Sequence, residues 1–175
     1  MLRAIEHHPA ASWPAESAAD SLTLDYDNRH RRRISLTTDG GMDVLLDLPK
    51  AVAMAHGDGL RLEDGRWLAV RAAPEALVEI CADDATDLAR IAWHIGNRHF
   101  PAQILHGAIR IRPDHVMEAM ILGQGGALTR LEALFQPEGG AYGSAQPRGP
   151  ADADAHGHDH GHHPSHGSHH HPHDH

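Results

Sequence analysis

The last twenty residues, His156 to His175, hold eleven histidines and no aliphatic side chain. Nothing in that stretch can be buried, and its Gly and Pro residues interrupt any helix or strand. Whatever core the chain builds must come from the residues before it. With the Pro- and Gly-rich approach from Pro137 also set aside, roughly 145 residues remain, enough for one medium domain or two small ones. The tail over 143–175 is expected to stay disordered without metal, because it cannot offset its own ordering entropy.

What the tail offers is imidazole: His156, His158, His160, His162, His163, His166, His169, His170, His171, His173 and His175, with Asp159 and Asp174 among them. Neutral imidazole suits borderline divalent ions such as nickel, zinc and copper. The histidines are interspersed with Gly, Asp, Pro and Ser, unlike the unbroken run of a purification tag.

Charge and composition exclude several classes. The chain has 24 acidic against 15 cationic residues, a net charge of −9 with histidine neutral. That sign argues against a nucleic-acid partner, which requires a cationic footprint. The single cysteine, Cys81, permits neither an intrachain disulfide nor a Cys-rich zinc site. The first twenty residues do not read as a signal peptide and no apolar run reaches membrane-spanning length, so a soluble cytoplasmic protein with no membrane partner is expected. No phosphate-binding Gly-rich loop ends in Lys-Ser/Thr, and neither His-Glu-x-x-His nor Gly-x-Ser-x-Gly occurs. An enzyme is therefore not expected.

The pattern along the chain predicts an α+β protein. Residues 1–20 show little periodicity. From Ser21 the chain reads as short strands, with Asp39-Gly40-Gly41 turning a hairpin and Glu63-Asp64-Gly65 marking a second turn. A small all-β domain within 1–73 follows, its periodic part at about 21–73. Arg29 and Arg31–Arg33 form a basic cluster on it, either a solvated strand face or a docking surface for an acidic segment. Pro74 opens a second regime: a strand over 76–82, then a helix over 86–95 whose Leu88, Ile91, Ala92 and Ile95 fall on one stripe. Gly96-Asn97 stops it, both residues tolerating the left-handed conformation. Strands flank His106-Gly107, a second helix starts behind an Asp114 N-cap with Val116, Met117, Met120 and Ile121 apolar, and a last strand runs over 128–135. The order β-α-β-β-α-β is that of a ferredoxin-like domain, assigned to 74–142.

Four histidines fall in that second region: His94, His99, His106 and His115. His94 and His99 are five apart, not the i, i+4 spacing of a helical metal pair, and His99 lies beyond the helix stop, free to face solvent or a partner.

The residues now become specific. Ile95-Gly96-Asn97-Arg98-His99, then Pro101-x-Gln103-Ile104, Asp114-His115-Val116, Phe135-x-Pro137-Glu138-Gly139-Gly140-Ala141-Tyr142 and the His-rich end resemble the UreE family of urease accessory proteins. The resemblance implies a nickel metallochaperone: a cytoplasmic homodimer with a β-rich, peptide-binding-like N-terminal domain and a ferredoxin-like metal-binding domain. It implies that His99 meets its twin at the two-fold interface to hold nickel, with His115 as an accessory ligand. Some members carry a histidine where this chain has Pro113. It also implies delivery to the urease accessory GTPase and, with the remaining accessory proteins, to apo-urease. Zinc and copper are expected to compete with nickel on affinity grounds alone. The alternatives are a storage or buffering protein acting through its tail, a zinc hydrolase using His99 and His115, and a peptide-binding module built on the β-domain.

Overall fold

The computed structural model describes residues 1–139. They form ten strands, two α-helices and two short 3-10 turns. Two separate cores organise them.

The first core lies under a six-stranded sheet of β1 (Leu2–His8), β2 (Ala18–Leu24), β3 (His30–Thr37), β4 (Asp43–Ala53), β5 (Gly59–Leu62) and β6 (Trp67–Ala72). The strand order is β2-β6-β5-β1-β4-β3. Alternation along β4 sends Val44, Leu46 and Leu48 inward, where they meet Leu22, Leu60, Leu62, Leu68 and Val70. β3 and β4 form the expected hairpin across Asp39-Gly40-Gly41. Gly41 sits at φ 89°, a conformation that only a glycine adopts without cost.

The N-terminus holds an element that its weak pattern did not reveal. Residues 2–8 form a strand in mid-sheet, parallel to β4 and antiparallel to β5. Of β1 only Ala4 is fully buried. A strand with one small inward residue carries no alternation to read, and its partners are remote in sequence. His7, near the end of β1, is held in the fold. Its ring nitrogen lies 2.6 Å from Asp58 Oδ2, a buried carboxylate that also accepts from the Ala10 and Ala55 backbone N–H groups.

The second core joins a four-stranded sheet to two helices. The chain order is β7 (Pro74–Cys81), α1 (Ala85–Gly96), β8 (Ala102–Leu105), β9 (Ala108–Ile111), α2 (His115–Gly123) and β10 (Ala127–Leu134). Sheet order is β10-β7-β9-β8 with every neighbouring pair antiparallel. β7 and β8 therefore run parallel with β9 between them. Both helices start on aspartate caps: Asp84 accepts from the Thr86 and Asp87 N–H groups, Asp114 from those of Val116 and Met117. Ile91 and Ile95 of α1 and Met117 and Ile121 of α2 bury against Val78, Ile80, Ile109 and Ile111. The predicted stripe of α1 is the face it buries, Leu88 and Ala92 packing at its margin. Val116, by contrast, is 58% exposed and not part of the core.

A buried arginine ties the two sheets together. Arg29 was expected on a surface patch; it is 3% exposed. Its guanidinium donates to the Met54 carbonyl at 3.1 Å and to the Phe135 carbonyl. Burial pushes the guanidinium below its ordinary range, against the opposing pull of Glu75, Tyr26 and Asp25. Beside it, Tyr26 meets Phe135 edge-on, and Arg112 lies over the Tyr26 ring while pairing with Asp27 at 2.8 Å. That bond to Asp27 is the main reason the Arg112 guanidinium is held above its ordinary range.

Candidate metal centre

α1 brings His99 to its place by the way it ends. The Asn97 N–H bonds to the Trp93 carbonyl, and Asn97 itself keeps right-handed helical geometry. Neither Gly96 nor Asn97 is the left-handed residue the sequence suggested. His99 is, at φ 53°, the one non-glycine residue with positive φ among the described residues. Its N–H bonds to the Gly96 carbonyl at 2.9 Å, and the next N–H, of Phe100, reaches back to the Ile95 carbonyl at 3.4 Å. This pair of bonds is a Schellman helix stop, with His99 in the position that glycine usually fills and Phe100 packing back on the core.

A histidine in that position is strained by roughly 1–3 kcal/mol, the usual cost of a non-glycine residue held left-handed. The return for the strain is placement. The backbone has reversed out of the helix, and His99 is exposed rather than folded back along α1. The last turns of α1 also carry an exposed aromatic ring. Trp93 is 65% exposed and meets the His94 ring edge-on at 4.9 Å. Arg98 turns back to donate to the His94 carbonyl.

His115 is the first residue of α2, exposed beside the exposed Val116. His106 is exposed in the turn between β8 and β9. Among the described residues, no group of three histidine, cysteine or carboxylate side chains is close enough to hold a metal ion. His99 and His115 are both exposed, and among the described residues neither belongs to a set of three possible ligands. The eleven tail histidines, His156 to His175, lie outside the described residues, as does the end of the second region assigned to 74–142.

The chain that leaves β10 is anchored to β8 and to the loop after β4. After β10, Gln136 accepts from the His56 N–H and donates its own N–H to Gln103, and the Glu138 N–H donates to the Ala102 carbonyl at 2.8 Å. Ala102 opens β8, three residues past His99 in the sequence. Sequence reading missed this anchor. Its hydrogen bonds run between segments far apart in the chain, and only the cluster Phe135-Gln136-Pro137-Glu138 hinted that the exit was built.

Family models match both regions. The model described as "UreE urease accessory protein, N-terminal domain" covers residues 1–73, and its C-terminal counterpart covers 75–175. The chain belongs to the UreE urease accessory protein family. Among its relatives, the urease accessory protein UreE of Rhodopseudomonas palustris (strain HaA2) is 51% identical over 145 residues, covering 83% of this chain and 67% of that one. The UreE of Bradyrhizobium sp. (strain BTAi1) is 50% identical over 159 residues, 91% of this chain and 73% of the other. That of Chelativorans sp. (strain BNC1) is 48% identical over 144 residues, 82% and 91% of the two chains. Family membership agrees with an α+β chain carrying two separate sheets. No helix among the described residues is long and apolar enough to cross a membrane.

Proposed function

We propose that this protein is a cytoplasmic metallochaperone that carries nickel and gives it up during assembly of the urease metallocentre. The observation that carries the reading is the strained, exposed His99 at the end of α1. Nothing in helix termination calls for a β-carbon there, so the histidine is kept for its ring. One imidazole cannot hold nickel, and a homodimer meeting at His99 supplies two. The exposed Trp93 on the same helix suits a surface that a second protomer covers. The second region is read as ferredoxin-like, on its β-α-β-β-α-β order and central β9.

Histidines of the tail complete the shell. The tail is tethered to the chain that carries His99, and tethering raises the effective concentration of its imidazoles. His115 is an accessory ligand. A shell made partly of tethered donors is open to exchange, which a carrier needs. Zinc and copper compete at such a site on the general affinity order, so selectivity for nickel rests with supply and partners. Those partners are the urease accessory GTPase, the other accessory proteins and apo-urease.

Calorimetric nickel titration of the full chain, a chain ending at Gly149 and His99→Ala tests this, with urease activation as the second readout. Loss of the tightest site and of activation in His99→Ala, with the tail intact, is the expected result. If removing the tail abolishes all tight binding while His99→Ala leaves activation untouched, the protein stores nickel through its tail instead.

A further inference from the structure

β3 ends the six-stranded sheet, and among the described residues its only strand neighbour is β4. Its outer backbone N–H and C=O groups face away from the sheet, the arrangement that accepts a further strand. Ile34 and Leu36 lean on the core, so Arg33, Ser35 and Thr37 occupy the opposite face. The leading half, His30 to Arg33, is exposed throughout. Opposite it β4 bulges: Arg31 pairs with Val52 and Arg33 with Asp47, which pushes Lys50 out to the surface.

The charge here runs against that of the molecule. Arg33 comes within 3.8 Å of Asp47, a carboxylate already shared with Arg3. Arg32 donates to the Leu48 carbonyl. Neither Arg31 nor Lys50 pairs with a carboxylate among the described residues, and Asp27 nearby is held by Arg112. A concavity of about 410 Å³ opens at the start of the strand, lined by Tyr26, Asp27, His30, Arg31 and Ala51.

We propose that the free edge of β3 is a docking strand for an acidic, extended segment of a protein partner, its backbone pairing with β3, its carboxylates meeting Arg31, Arg32 and Lys50, and one side chain entering the concavity. Strand addition gives affinity through main-chain hydrogen bonds and specificity through alternate side chains. Arginines on an edge strand repel a second copy of the same strand, which argues against self-pairing, and attract a segment of opposite sign. A chain carrying −9 overall turns away nucleic acid everywhere but at this small patch. This surface is separate from the His99 site, so the proposal stands or falls independently of nickel carriage.

The test uses the full-length protein and fluorescence anisotropy of a short labelled peptide alternating glutamate and valine. Binding is expected, weakened about tenfold or more in Arg31→Glu/Lys50→Glu, whose side chains support no fold contact, and weakened by added salt. An N-methylated version of the peptide, which keeps every charge and loses the main-chain donors, is expected not to bind. Equal binding of the N-methylated peptide overturns strand addition. Equal binding by the double variant, or tighter binding of a single-stranded DNA of matching length, overturns the proposal as a whole.

Discussion

Replacing Arg29 with methionine isolates the tie between the two sheets. Methionine has similar length and fills the space without the guanidinium. The Met54 and Phe135 carbonyls then lose their donor. Each buried carbonyl left without a partner costs about 1–3 kcal/mol. Against this stands relief of a real penalty, since the guanidinium is desolvated and its Nε has no partner. The acceptors are backbone carbonyls, which the substitution leaves in place, so the loss is not cancelled as it is when both halves of a buried ion pair become apolar. The net expectation is about 2–4 kcal/mol of lost stability. Urea unfolding of the full chain, followed by far-ultraviolet circular dichroism, measures it as a lower midpoint at unchanged slope. The melting temperature should fall by roughly 5–15 °C for a chain of this size. Arg29→Lys, which keeps a charge but cannot span both carbonyls, should lose about half as much. A loss under about 1 kcal/mol, or a gain, would refute the reasoning and make the buried guanidinium a net cost to folding.

Two other outcomes test separate parts of the structure. His99→Gly removes the imidazole and the left-handed strain together, so unfolding stability should stay within about 1 kcal/mol of wild type or rise; a fall of several kcal/mol would show that the ring holds the fold. Asp39→Asn probes pH. Bonds from the Ser21 and Thr23 hydroxyls and the Thr23 N–H hold the Asp39 carboxyl below its ordinary range. A carboxyl depressed by folding contributes stability above the unfolded value near 4, and that contribution is lost as pH falls through the lower folded value. The stability gap between wild type and variant should therefore be flat from neutral pH down to about 5 and close below about 4, in urea melts across that range; a gap that widens on acidification contradicts the sign.

Much was legible because it is local. The stripe Leu88, Ile91, Ala92, Ile95, the aspartate cap at 114 and the glycine turn at 39–41 each depend on neighbours a few residues away. Their physics is complete within one segment. The resemblance to UreE had the same source, motifs contiguous enough to be read in one pass, and it agreed with the family that the chain belongs to.

Residue order therefore determined, without any tertiary help, the two helices and the β-rich first half. What tertiary structure alone decided concerns groups whose role depends on distant chain. Arg29 reads as one more surface arginine until Phe135, more than a hundred residues on, supplies its acceptor. β1 carries little periodicity of its own and becomes a strand because β4 and β5 close on either side of it. His99 reads as a residue beyond a helix stop, whereas the return of Phe100 to the core makes it the stop itself. In each case the deciding energy is a buried hydrogen bond or contact between segments that no local window contains.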